Sequence, residues 1–218
     1  MTIVEFLKEL YLLALLVISV IGIIRFCKVD QPTRLIILMV WLGLVTELTA
    51  FFVARIYRNN LPVYNLYSFL EFGILCFYFN QVIDRFRKVN AGFAIGAGGI
   101  FLGSMHLIWS KQFDIVNTYF FFFEGIIIIV LSLLYCFQAV EEFDGSKLFH
   151  PHYFWFSVIL ASLYSINFLT WGLYDYFTVH LKREVIYLNY GLLVTNIIAY
   201  GFIGLLVFRY PKQRTSYV

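Results

Sequence analysis

The 218 residues are 61% hydrophobic, 21% aromatic and only 13% charged, where soluble domains carry roughly a quarter charged residues. The formal net charge is +3, and the basic residues sit at the ends of long apolar segments, where they anchor to lipid headgroups rather than form a nucleic-acid surface. These segments consume most of the chain, which excludes a soluble catalytic or nucleic-acid-binding domain and leaves function to the membrane or its faces.

A hydrocarbon core needs about 20 apolar residues per crossing. Seven segments meet that length, near residues 6 to 26, 34 to 56, 63 to 83, 91 to 110, 116 to 139, 152 to 172 and 185 to 208. The expectation is one all-α domain over residues 1–218, a polytopic seven-helix transmembrane bundle in a cell membrane, the inner membrane if the cell is Gram-negative. The first segment reads as a retained helix, because Glu5, Lys8 and Glu9 make a poor basic n-region and Arg25 follows with no small-x-small cleavage site. Six Lys and Arg lie near segment ends on the N-terminal side and ten on the other, a bias that places the N-terminus outside. Cys27, Cys76 and Cys136 are scattered singly, with no CxxC or metal spacing, and read as packing residues.

In chain order, the second segment opens at Pro32, which suits a first helical turn. It carries Glu47 within an otherwise apolar run and ends at Arg55 and Arg58. The short connection through Asn59 and Asn60 makes segments two and three antiparallel neighbours. The third segment begins Leu61-Pro62-Val63-Tyr64-Asn65-Leu66-Tyr67-Ser68-Phe69-Leu70-Glu71-Phe72. At 100° per residue, Tyr64, Ser68, Glu71 and Tyr78 share one helical stripe, with Tyr67 at its margin.

The fourth segment repeats glycine at 92, 96, 99 and 103, a small-residue stripe that lets helices approach closely in lipid. In the fifth, Asn117 and Glu124 are seven apart and share a face. In the sixth, which opens at Pro151, Tyr164, Asn167, Trp171 and Tyr174 recur at three- and four-residue steps. The seventh carries Asn189, Asn196 and Tyr200, with Tyr187 and Tyr190 near its mouth. A faint repeat relates segments one to three to segments five to seven around a lone fourth: Pro32 and Pro151 are followed by Glu47 and Asn167, and the next segments begin Val63-Tyr64-Asn65-Leu66-Tyr67 and Ile186-Tyr187-Leu188-Asn189-Tyr190.

A carboxylate inside a bilayer costs at least a few kcal/mol on insertion scales. Glu47, Glu71 and Glu124, all near one depth on the outer side and without an intramembrane Lys or Arg, are therefore expected to turn inward and share water, a proton or a cationic group. Aromatic walls with a few fixed polar groups make a small-molecule pocket. The candidate ligand-binding residues are Glu47, Glu71, Glu124, Tyr67, Asn117, Tyr164, Asn167, Trp171, Tyr187 and Asn189, with His106 at a similar depth. For any one asparagine or tyrosine, interhelical hydrogen bonding alone is the competing explanation.

The function expected is a receptor-like or sensory membrane protein with an outward-facing acidic and aromatic pocket for a small-molecule or cationic ligand. A proton-coupled small-molecule transporter is the alternative. The three-plus-one-plus-three pattern is similar to SWEET sugar transporters, although all four prolines lie outside or at the ends of the helices. An intramembrane metal- or carboxylate-dependent enzyme is the third possibility. No activated nucleophile, HExxH, CxxC or phosphate loop supports it, and neither a catalytic residue, a metal ligand nor a cofactor is assigned. A retinal Schiff base is excluded by the lack of a mid-helix Lys in the seventh segment.

At Asn65-Leu66-Tyr67-Ser68-Phe69-Leu70-Glu71-Phe72 the chain resembles uncharacterised seven-helix membrane proteins of Bacteroidota-type bacteria that share an Asn-x-Tyr-x-x-x-Glu-Phe third helix. Similar membrane regions in that group are joined to sensory kinase domains, so the resemblance implies signal perception. These 218 residues contain no such output domain, and sensing is expected to run through a separate signalling partner on the inner face.

Overall fold

Hydrocarbon offers no partner to a backbone amide, so a chain of this hydropathy folds into elements that satisfy their own hydrogen bonds. The computed structural model describes residues 3–111, 113, 115–142, 152–180 and 185–210, excluding the side chains of residues 4, 142, 172–179, 185, 186 and 189. Among the described residues it is all-helical, without strands: α1 (Ile3–Arg25), α2 (Gln31–Tyr57), α3 (Leu61–Val82), α4 (Asp84–Val89), α5 (Ala91–Ser110), α6 (Thr118–Glu142), α7 (His152–His180) and α8 (Val185–Arg209). Pro151, expected to open a helix, lies outside the described residues, as does the loop 143–150.

Six of these helices are long and apolar enough to cross a membrane, namely all but α3 and the short α4. This is a multi-pass helical membrane protein. Helix α3 has 22 residues, about 33 Å at 1.5 Å per residue. Its polar side chains Asn65, Ser68, Glu71 and Asn80 set it apart, and all four are buried. The one long helix that falls short of a membrane span by its apolar content thus buries its polar side chains within the protein. The short α4 was not foreseen; it continues α3 after a break at Ile83, whose backbone is extended.

Local chemistry sets the helix ends. The Asp30 carboxylate accepts from the Thr33 amide at 3.2 Å, capping α2, while Pro32 occupies its first turn. Arg58 ends α2 in the left-handed region at φ 56°, which reverses the chain within three residues and makes α2 and α3 antiparallel neighbours.

The helices close into a ring. Helix α1 packs on α2, α2 on α3, α3 on α6, α6 on α7, α7 on α8, and α8 returns to α1. Helix α5 stands outside this ring and packs against α3. Its buried residues include Gly92, Gly96, Gly99 and Gly103. A Cβ on Gly103 would come within 2.3 Å of the Phe120 ring, and one on Gly99 within 2.4 Å of Phe72, whereas Gly98, off the stripe, has nothing within 4 Å. The glycine stripe therefore packs α5 onto the aromatic surface of α3 and α6, where close approach replaces a hydrophobic driving force that lipid does not supply.

Candidate functional site

Inside the ring, in the half that holds the N-terminus, lies a cavity of about 420 Å³ to which all six ring helices contribute. Its size falls in the lower part of the range for small-molecule pockets. Helix α3 supplies Tyr64, Tyr67 and Glu71, three residues at the i, i+3 and i+7 spacing of one helical face. Helix α2 supplies Glu47 and helix α6 supplies Phe121 and Glu124. Helix α7 adds Tyr164, Asn167 and Trp171, again at three- and four-residue steps, and α8 adds Asn196 and Tyr200.

Each of the three carboxyl groups is met by a tyrosine. The Tyr64 hydroxyl donates to Glu47 Oε2 at 3.2 Å, and the Tyr67 hydroxyl donates to Glu71 Oε1 at 2.7 Å. Tyr67 and Tyr200 place their hydroxyls 3.4 Å apart, over Gly43, where an added Cβ would lie 3.7 Å from each. The Tyr164 hydroxyl faces both Glu71 and Glu124. Glu124 is 1% exposed, and its Oε1 has no hydrogen-bond partner among the described residues; the same holds for Asn167 Oδ1. One side of the cavity is a flat apolar wall, where Phe121 and Trp171 stack with ring centroids 5.0 Å apart and planes inclined by 20°.

One turn further toward the opposite face, α3, α6 and α7 present Leu75, Ile128 and Leu160, each fully buried. They form an apolar floor one helical turn below the lining residues Glu71, Glu124 and Tyr164. Two turns from the acidic level the same helices carry Tyr78, Ser132 and Ser157, also fully buried, whose hydroxyls have no hydrogen-bond partner among the described residues.

The ten candidate residues separate in space. Glu47, Glu71, Glu124, Tyr67, Tyr164, Asn167 and Trp171 line the one cavity. Asn117 lies outside its lining: its side-chain oxygen accepts from the Phe120 amide at 3.3 Å, the position of a cap on α6. Tyr187 is 69% exposed and packs against Tyr190. Asn189 lies outside the described side chains. His106 is exposed on α5, with its ring 5.2 Å from that of Tyr119.

The lining also contains Lys8 and Tyr11 of α1, which the sequence reading did not select. Lys8 faces Glu47 at the cavity mouth. Their three-residue spacing was legible, but a lysine close to the start of a first segment reads as a headgroup anchor.

The motif Asn65-x-Tyr67-x-x-x-Glu71-Phe72 divides between two faces of α3. Tyr67 and Glu71, four apart, point into the cavity and bond to each other. Asn65 and Phe72, seven apart, point away from it. The Asn65 amide donates to the Ile115 carbonyl at 2.8 Å and its oxygen accepts from the Asn117 amide at 3.0 Å, fastening the chain that leads into α6. Phe72 packs edge-on against Phe120 at 5.7 Å beneath α5. The same eight residues thus place the acidic group and hold α6, which carries the second buried carboxylate, against α3.

Fold and cavity together define the class: a multi-pass helical membrane protein with an acidic, aromatic cavity within its helices. No known family, curated protein or solved structure matches the chain.

Proposed function

We propose that the protein is a receptor-like, ligand-binding membrane protein whose ring of α1–α3 and α6–α8 holds a small molecule in the acidic cavity. In this reading seven helices span the bilayer, α3 included, with the N-terminus and the cavity mouth outside. The length of α3 and its interior position support its spanning, and the excess of Lys and Arg on the opposite side supports the orientation. The observation that carries the reading is Glu124, fully enclosed with an oxygen left without a donor among the described residues, beside Glu71 in a space that six helices line. A buried carboxylate in lipid is costly to maintain, and one that stabilised packing would be expected to have its acceptors filled from neighbouring helices.

The apolar floor of Leu75, Ile128 and Leu160 favours binding over passage. A proton-coupled carrier is the second reading, favoured by one feature of the ring: α3 meets α6 as α8 meets α1, the arrangement of two parallel three-helix repeats with α5 between them.

The deciding experiment starts with mass spectrometry of small molecules that copurify in mild detergent, then follows those molecules in proteoliposomes with and without a pH gradient. Saturable binding without accumulation is the expected result, and gradient-driven accumulation would replace the receptor by a carrier. Thiol labelling from outside the cell, at Asn60→Cys but not at Ser146→Cys, is the expected topology.

A further inference from the structure

Resting on the pocket reading above, we propose that the ligand is a compact organic amine, protonated and still bearing N–H hydrogens. Its ammonium group sits between Glu71, Glu124 and Asn167, and its carbon body lies toward the Phe121–Trp171 wall. Hydrogen-bond acceptors outnumber donors there. The deep part of the cavity holds two carboxyl groups, each able to accept at about four lone-pair sites, and the side-chain amide of Asn167.

Against these stand, among the described residues, the hydroxyl hydrogens of Tyr67, Tyr164 and Tyr200, one apiece, and the amide N–H2 groups of Asn167 and Asn196, two hydrogens each. Tyr67 spends its hydrogen on Glu71, and Tyr164 faces both carboxylates with one hydrogen to give. Glu124 Oε1 and Asn167 Oδ1 remain without a donor among the described residues. An R–NH3+ group supplies three donors together with the positive charge that two neighbouring carboxylates lack. An alcohol supplies one donor and no charge, and a quaternary ammonium supplies charge and no donor.

The positions of the other charges agree. Among the described residues Lys8 is the one Lys or Arg in the lining, and it faces Glu47 at the mouth, where Tyr64 also bonds that carboxylate. Glu47 is thereby matched, and Glu71 and Glu124 are the pair left without a cation among the described residues. Among the described residues no three His, Cys, Asp or Glu side chains come together as a metal-ligand set. A space of about 420 Å³ walled by stacked aromatic rings suits a carbon skeleton rather than a bare ion.

Three probes that share one carbon body separate these terms: 2-phenylethylamine, 2-phenylethanol and N,N,N-trimethyl-2-phenylethylammonium. Titration calorimetry of the purified full-length protein in detergent should show the primary amine binding at least tenfold more tightly than either of the others. Glu124→Gln and Glu71→Gln should each weaken the amine at least tenfold, and Gly98→Ala, at an open position on α5, should leave it unchanged. Unfolding temperature and elution volume measured on each variant separate lost binding from lost fold, and Asn167→Leu serves as a third variant that leaves both carboxylates in place.

Equal binding of the alcohol, or of the quaternary ion, would overturn the amine assignment while leaving the pocket occupied and the receptor reading standing. Absence of binding by all three probes would also overturn the amine assignment. In that case a copurifying neutral or anionic molecule displaced by Trp171→Ala keeps the pocket, and the absence of any copurifying molecule removes both readings.

Discussion

The two halves of the helical ring use polar side chains in opposite ways. On the N-terminal side Glu71, Glu124 and Tyr164 surround open space, and they meet one another across helices. On the other side the same three helices carry Tyr78, Ser132 and Ser157, fully buried neutral hydroxyls without a hydrogen bond among the described residues, although Tyr78 faces Ser157. Between the two levels stand Leu75, Ile128 and Leu160, each fully buried. A buried neutral hydroxyl without a partner costs about 1–3 kcal/mol and can be carried by good packing around it. A carboxylate at the same depth costs more and needs company, so the acidic level is hollow and the hydroxyl level is solid. Polarity in a membrane interior thus marks a site only where charge forces space to be left around it.

Breaking the apolar floor should have the largest effect on this contrast. Leu160→Ala is expected to cost about 2–5 kcal/mol of stability by emptying a fully buried site, and thermal unfolding in detergent measures it. A loss below about 1 kcal/mol would mean the floor is not close-packed.

Next in size is the fastening of the cavity's far wall. Asn65→Ala removes the acceptor of the Asn117 amide and the donor to the Ile115 carbonyl, leaving the buried Asn117 amide unmet at about 1–3 kcal/mol. Hydrogen exchange should become faster around residues 115–121 while α7 is unaffected.

Glu71→Gln sharpens the contrast from the hollow side. The amide preserves shape and can still accept from Tyr67, so the unfolding temperature should stay close to that of the wild type. Binding of the amine should nevertheless fall tenfold or more, equivalent to about 1.4 kcal/mol. A variant that loses fold and binding together would assign Glu71 to packing instead.

The smallest effect is expected at the solid level. Ser132→Ala deletes a buried hydroxyl that makes no hydrogen bond among the described residues, so stability should change by less than about 1 kcal/mol, toward greater stability, with binding unchanged. A large loss would reveal an ordered water or partner at that level and erase the difference between the halves.

How much of the molecule was legible in advance depends on which physical constraint acts locally. The helical class and the six long apolar helices follow from the chain alone, because hydrocarbon compels regular helices and penalises charge at every position independently of what packs nearby. The glycine stripe on α5 was legible for the same reason, since a face without side chains admits a neighbour whichever neighbour arrives.

Which residues share the cavity required the tertiary structure. Asn117 has the seven-residue spacing that aligns it with Glu124, yet it precedes the first turn of α6, where capping the helix competes with facing the interior. Asn65 and Glu71 lie within two turns of each other, and only the positions of α6 and α2 decide that one fastens backbone while the other enters the pocket. Lys8 and Tyr11 line the cavity because α8 closes the ring against α1 across nearly the whole length of the chain. Helical periodicity determines the direction in which a side chain leaves its own axis; what stands in that direction is decided by which helices become neighbours, and no local pattern carries that information.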